Sequence, residues 1–210
     1  MKHQQQVSIL DRHKGDILMD GATLKKRLLN LQETFEERED TLTELDRDIG
    51  DGDHGVNMVR GFKALKAALE NVETVPDVLK TTGMTLMSKV GGASGPLYGF
   101  GFVKMAQVAE DEITDENLPK LLQAFSDAVA QRGKVELNEK TMYDVIEPAR
   151  AAVEAGESVD ISYLQQLADE TYHMVATKGR AAYYKEESRG HTDPGAQSSV
   201  YILNALIGDD

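Results

Sequence analysis

Three observations predict an all-α fold: tryptophan is absent, β-branched residues seldom run together, and apolar residues recur at spacings of three and four along almost the whole chain. Short connections between the periodic segments predict an up-down antiparallel arrangement of eight helices. The first helix is expected from about Asp20, with Leu24, Leu28, Leu31, Phe35, Leu42 and Leu45 on its apolar face. The second carries Val59, Phe62, Leu65 and Leu69. Pro76 opens a third with Leu79, Met84, Leu86, Met87 and Val90, and the fourth starts near Pro96, a favoured first-turn proline, with Leu97, Phe100 and Val103. Asp115 is expected to cap a fifth helix (Leu118, Leu122, Phe125, Val129), and a sixth carries Met142, Val145, Ile146, Ala149 and Val153. The seventh reads as long, from about 159 to 183. The eighth begins with Asp193 as N-cap and Pro194 at the first helical position, burying Val200, Leu203 and Leu206.

In an up-down arrangement the links at 46–55, 91–95, 133–140 and 186–193 share one end. The opposite links, around Val75, Glu112 and Gly156, have no comparable glycine clusters and no acids joined to histidine. Function is therefore expected at one end of the molecule.

Composition narrows the class of function. With 210 residues, 40% of them hydrophobic, one domain over 20–210 can bury a sizeable core, preceded by an arm of unknown role at 1–19. A net charge of −13 argues against nucleic acid and anionic membranes as partners, because both are bound through clustered Lys and Arg. The absence of cysteine excludes thiol catalysis, disulfides and zinc-thiolate sites. No segment approaches the roughly 20 apolar residues of a membrane span. Nothing resembles a signal peptide, since the apolar run at 7–10 is short and 11–16 is charged, so a cytoplasmic location is expected.

The first same-end link contains Asp46, Asp51 and Asp53 among Gly50, Gly52 and Gly55. Carboxylates this close repel one another unless a cation lies between them, and oxygen-only ligands favour Mg²⁺ or Ca²⁺ over zinc. An EF-hand is excluded, because no register supplies both its glycine and its closing glutamate. A solvated turn is the competing reading, since Asp-Gly pairs are ordinary turn formers. Gly91-Gly92-Ala93-Ser94-Gly95-Pro96 offers free amides before a helix start and suits an anion. No Gly-Lys-Ser/Thr follows, and Lys104 stands where a dinucleotide fingerprint needs its third glycine. Close helix packing through glycine is the alternative there. Arg180 suits a phosphate or an exposed ion pair, and Asp193 serves first as a helix cap. His54 suits a phosphate or a proton relay, or is simply satisfied by neighbouring carboxylates. Met142 fits either an adenine ring or the core. Metal acids, glycine amides and an arginine at one end describe a Mg-nucleotide site. No protein nucleophile is evident, and phosphoryl transfer needs none, since positioning and charge neutralisation carry most of its catalysis.

Three motifs then carry a resemblance: Leu45-Asp46-x4-Asp51-Gly52-Asp53-His54-Gly55-x-Asn57-Met58; Gly91-Gly92-Ala93-Ser94-Gly95-Pro96-Leu97-Tyr98-Gly99; and Gly179-Arg180-Ala181 with Gly190-His191-x-Asp193-Pro194-Gly195-Ala196. The chain resembles the L subunits of bacterial dihydroxyacetone kinases over about 20–208. The resemblance implies an eight-helix barrel holding ADP at one rim, with two Mg²⁺ on Asp46, Asp51 and Asp53. It implies nucleotide contacts from His54, Asn57, Met58, Ala93, Ser94, Gly133, Met142, Arg180, Asp193 and Gly195. It further implies that the nucleotide stays bound as a coenzyme: a phosphohistidine M subunit recharges ADP to ATP in place, and the phosphate passes to dihydroxyacetone on a K subunit. On this reading the chain is a phosphotransferase active only with its partner subunits, and a homodimer stays open.

Two positions depart from the pattern, Glu187 where arginine is expected and Arg189 where an apolar residue is expected. A free-standing chain of this length favours the phosphoenolpyruvate-dependent branch by analogy. The alternatives are an ATP-exchanging kinase domain of the same superfamily, acting on dihydroxyacetone or fatty acids, and a non-catalytic metal-nucleotide regulator. His54 speaks against the fatty-acid kinase, where threonine is expected.

Overall fold

The structure, a computed structural model, describes residues 18–208. Among them are eight α-helices: α1 (Gly21–Ile49), α2 (His54–Ala68), α3 (Val75–Lys89), α4 (Ser94–Val108), α5 (Leu118–Gly133), α6 (Tyr143–Glu154), α7 (Ile161–Glu170) and α8 (Pro194–Ile207). Each packs on the next, and α8 returns to α1, so the ring is closed. An amphipathic helix can bury its stripe only against neighbours, and closure gives every stripe two of them. The shared interior holds Leu24, Leu28, Phe35, Phe62, Leu65, Phe102, Phe125, Val200 and Leu203, all buried. Phe35 and Phe62 meet at 4.6 Å between ring centroids, and Phe102 and Phe125 meet edge-on at 5.5 Å.

Helices α3 and α4 approach backbone to backbone. A Cβ at Gly83 would stand 2.5 Å from the Gly99 carbonyl oxygen, and one at Gly99 would stand 2.6 Å from that of Gly83, so both positions require glycine. Met84 and Met87, read as part of the α3 stripe, are exposed, because Thr82 and Gly83 occupy the buried face between Leu79 and Leu86.

The structure corrects three expectations. The N-cap of α5 is Asn117, not Asp115. A two-residue strand β2 (Ile113–Thr114) precedes it, and the Asn117 side chain accepts from Thr114 N at 2.9 Å. Met142 stands at the N-cap of α6 rather than inside it. The seventh helix ends at Glu170, followed by short 3₁₀ segments at Thr171–His173 and Ala181–Ser188. The Thr171 carbonyl, which a continuing helix would use, is taken by the Lys140 ammonium at 2.5 Å, while Gly179 (φ +63°) and Lys185 (φ +52°) are left-handed.

The arm expected at 1–19 lies outside the described residues for 1–17. Leu18 and Met19 form strand β1 (Leu18–Met19), antiparallel to β2, and Met19 is buried in the core. No helix among the described residues is long and apolar enough to cross a membrane.

Candidate functional site

The links α1–α2, α3–α4, α5–α6 and α7–α8 all contribute to the wall of one cavity of about 410 Å³. This is the end of the ring that the glycine clusters mark.

The acid loop is built around Asp46, in the last turn of α1 and only 9% exposed. Its Oδ2 accepts from Asp53 N at 2.8 Å and His54 N at 3.1 Å, so one carboxylate faces the site and satisfies amides at the start of α2. A Cβ at Gly50 would collide with Asp46 Oδ1, so the chain can fold back over this carboxylate only through glycine. Asp51 and Asp53 lie further out, and carboxylate oxygens of all three acids fall within 4.8 Å of one another. Such an all-oxygen, multiply anionic set fits a hard divalent cation. Arg180, from the α7–α8 link, reaches Asp51 Oδ2 with Nη1 at 2.6 Å, and His191 Nδ1 lies 3.2 Å from Asp48 Oδ2. The long link is therefore clipped to the acid loop twice.

The second wall is the glycine loop. Arg60 on α2 donates from Nε to the Lys89 carbonyl (2.7 Å) and from Nη2 to Asn57 Oδ1 (2.6 Å), which sets the loop before α4. Gly92 is left-handed at φ +65° with open space around its Cβ position. Neither α4 nor α6 has a side-chain cap; at α6 the leading amides are taken within the chain, Tyr143 N by Thr141 Oγ1 at 3.1 Å, Asp144 N by the Thr141 carbonyl and Val145 N by the Met142 carbonyl, so the glycine loop before α4 is the start suited to an anion.

His54 is buried between hydroxyls rather than carboxylates, with Nε2 2.9 Å from Ser198 Oγ and Nδ1 3.4 Å from Ser94 Oγ. The Tyr98 hydroxyl extends the network to the Gly195 carbonyl, Ser198 and Ser199 at 2.7–2.9 Å, joining α2, α4 and α8. Burial pulls the His54 pKa down to about 4 against the charge of Asp53, so the imidazole is neutral at pH 7. Asp193 caps α8 by accepting from Ala196 N at 2.8 Å. Burial raises its pKa to about 7, opposed by that hydrogen bond and by Lys140.

Of the candidates from sequence, Asp46, Asp51, Asp53, His54, Asn57, Ala93, Ser94, Gly133, Met142, Arg180, Asp193 and Gly195 all line the cavity. Met58 does not. Its side chain is fully buried in the core beside Phe62 and Leu65, the face its helical spacing assigns it. Glu187 and Arg189, the two departures, are exposed; Arg189 donates to the His173 carbonyl and pairs with Glu186. Sequence reasoning did not pick out the apolar part of the wall, Ile49, Leu97, Val129 and Val135, nor Lys140 as part of it. Ile49, Leu97 and Val129 lie in the end turns of helices, where they read as core, and Val135 lies in the α5–α6 link. A nearly fully buried lysine has no sequence signal at all.

Residues 48–208 match the family model of the DAK2 domain. The chain is 44% identical to the PEP-dependent dihydroxyacetone kinase 1, ADP-binding subunit DhaL, of Listeria innocua, over 83% of this chain and 89% of that protein. It is 42% identical to the PTS-dependent dihydroxyacetone kinase, ADP-binding subunit DhaL, of Lactococcus lactis, over 83% of this chain and 90% of that protein. In fold it is similar to the dihydroxyacetone kinase from C. freundii in complex with AMP-PNP and Mg²⁺, with a TM-score of 0.66 at 20% identity. That match covers 100% of this chain and 38% of the other, so this chain spans well under half of the larger kinase.

Proposed function

The chain belongs to the DAK2-domain family, among the ADP-binding subunits of bacterial dihydroxyacetone kinases, and on that premise we propose that it is the nucleotide-binding subunit of a phosphoenolpyruvate-dependent dihydroxyacetone kinase. On this reading ADP stays bound as a coenzyme, is phosphorylated in place by a phosphohistidine M subunit, and the phosphoryl group passes to dihydroxyacetone on a K subunit. The observation that carries the proposal is one cavity in which three carboxylates, the glycine loop with the uncapped start of α4, and an apolar wall converge.

Each region has a chemical role. Asp46, Asp51 and Asp53 would hold two Mg²⁺, which neutralise phosphate charge when bound. The amides around Ala93, Ser94 and Gly195, with the Asn57 side chain and the neutral His54, suit phosphate and ribose oxygens. Gly133 and Met142, with Leu97 and Val135, suit the base, since a flat aromatic ring fits an apolar slot flanked by a polarizable thioether. Arg180 supplies an exposed cation at the mouth, paired with Asp51, and Asp193 fixes the start of α8 beside the cavity.

Among the described residues that line the cavity, no group suits attack on phosphorus or capture of a ketone. There is no cysteine, His54 is tied to two hydroxyls, the Lys140 ammonium is 1% exposed and bound by two carbonyls, and the Lys178 ammonium is held by the Lys134 carbonyl and Glu139. On this reading the substrate is held by another chain, the K subunit, and the protein works in the cytoplasm, where both partner subunits would be met.

The test is dihydroxyacetone phosphate formed per chain. The protein alone should form none, addition of a K subunit should give one turnover from bound ATP, and sustained turnover should require phosphoenolpyruvate, the general phosphotransferase proteins and an M subunit. Repeated turnover from free ATP with the K subunit alone would move the chain to the ATP-exchanging branch. No product under any combination would leave a metal-nucleotide regulator.

A further inference from the structure

The α7–α8 link leaves the ring at Thr171 and returns at Asp193, and its two ends meet in a narrow neck. Asp193 N donates to Thr171 Oγ1 at 3.0 Å, Gly190 N donates to the Tyr172 carbonyl at 2.8 Å, and Thr171 Oγ1 donates to the Ala168 carbonyl at 2.6 Å. Between these ends the link carries Lys178, Gly179 and Arg180 to the cavity mouth. Lys140 enters the neck from another part of the ring. Its ammonium donates both to the Thr171 carbonyl and to the His191 carbonyl, one on each side of the neck. The residue is left-handed at φ +61°, a conformation that is costly for a lysine and that here sends a charged side chain inward to 1% exposure. The link bearing it is braced in turn, since Asp144 on α6 accepts from Asn138 N (2.5 Å) and Thr141 N (2.8 Å). Asp193 and Asp144 are the carboxylates that oppose its charge, and Arg189 is the cation nearby.

We propose that Lys140 is a positioning residue, the pin that closes the neck of the 171–193 link and so holds Arg180 across the acid loop and sets how long a nucleotide diphosphate stays bound. The proposal rests on the nucleotide reading above. Two hydrogen bonds from a buried ammonium are each stronger than a neutral one, and nothing else in the α5–α6 link reaches both sides of the neck. The other ties between these links, Thr177 and Lys178 with Glu139 and Lys178 with the Lys134 carbonyl, grip one side only.

The experiment follows release of a fluorescent ADP analogue with Mg²⁺ from the full chain, the Lys140→Met variant and the Lys140→Arg variant, beside their melting temperatures. Lys140→Met should raise the release rate about tenfold or more at a temperature far below its melting point, with Lys140→Arg in between. A melting temperature that falls while the release rate of the folded protein stays at the wild-type value would make Lys140 merely structural and overturn the proposal. If Lys140→Met does not fold, hydrogen exchange of the nucleotide-free wild type decides: Gly190 and Asp193 amides should be protected and open together, and independent, unprotected exchange overturns the pin. Failure of the wild type to bind the analogue would instead count against the nucleotide reading, and exchange would still report on the pin.

Discussion

The two ends of the ring are built to different rules. At the end distant from the cavity, three of four helices, α1, α3 and α7, begin with Asp20, Thr74 and Asp160, whose side chains accept from Thr23 N, Asp77 N and Tyr163 N, while α5 begins at Asn117 without such a cap. At the cavity end α2, α4 and α6 begin without a side-chain cap, and only α8 has one. Backbone conformation divides the same way. Among the described residues, Lys134, Asn138, Lys140, Lys185, Gly52, Gly92, Gly179 and Gly190 have positive φ at the cavity end, and Gly156 alone does so at the other. One end caps most of its helix starts and keeps its backbone relaxed; the other concentrates the positive-φ turns and begins α4 without a side-chain cap. Where both occur in one fold, the strained end is where stability is traded for binding.

The largest expected effect breaks this contrast if it fails to appear. ADP with Mg²⁺ at a thousandfold excess over Kd should stabilise the protein by about 4 kcal/mol, far beyond either alone, because only the folded state offers the site. Asp51→Asn should erase that gain while the fold survives, since Asp51 is exposed and its partner within the chain is the exposed Arg180. Thermal melts with ADP, with Mg²⁺ and with both check it. Equal melting temperatures in all four conditions would mean that the strained end binds no metal-nucleotide.

The next effect is internal to the cavity end. Asp193 keeps its proton to about pH 7 in the folded chain, because burial disfavours its charge, and loses it near the ordinary aspartate value of 3.8 when unfolded. Between those values the native state binds more protons, so this group makes the wild type less stable as pH rises from about 4 to 7. Asp193→Asn keeps an acceptor for Ala196 N and removes the charge. Its stability relative to the wild type should therefore grow across that window, by on the order of 2 kcal/mol at pH 7.5 without nucleotide. Urea denaturation of both proteins at pH 4.5, 6 and 7.5 measures it; a constant difference would show that burial does not strain the α8 cap.

Much of this division was legible in the sequence. Helical periodicity located eight helices, and alternation of direction then placed Asp46–Gly55 and Gly91–Gly95 at one end before any contact was known. Asp193 before Pro194 marked its helix start to the residue. What stayed hidden depends on contacts between links. The end of α7 follows from Lys140 taking a carbonyl from a segment 31 residues away, which no local pattern encodes. Asp115 looked like a cap because a two-residue strand has no periodicity, and its pairing with Leu18–Met19 is what moves the helix start to Asn117. Met58 belongs to a motif by resemblance and to the core by spacing, and its side chain obeys the spacing.

The smallest effect sharpens the contrast from the far end. Thr74 caps α3 through Asp77 N (3.3 Å) and donates to Asp77 Oδ2 (2.9 Å), a local arrangement with no connection to the cavity. Thr74→Ala should cost about 1 kcal/mol, which for a domain of this size lowers the melting temperature by about 2–4 °C. The shift produced by ADP with Mg²⁺ should be the same size in the variant as in the wild type, because the lost hydrogen bonds stabilise the folded state equally with and without ligand. Melts of both proteins over a nucleotide titration give the cap cost from the offset and the affinity from the slope. A changed affinity would mean that the capped end is coupled through α3 to the glycine loop, and the two ends would then be one cooperative device rather than a scaffold and a site.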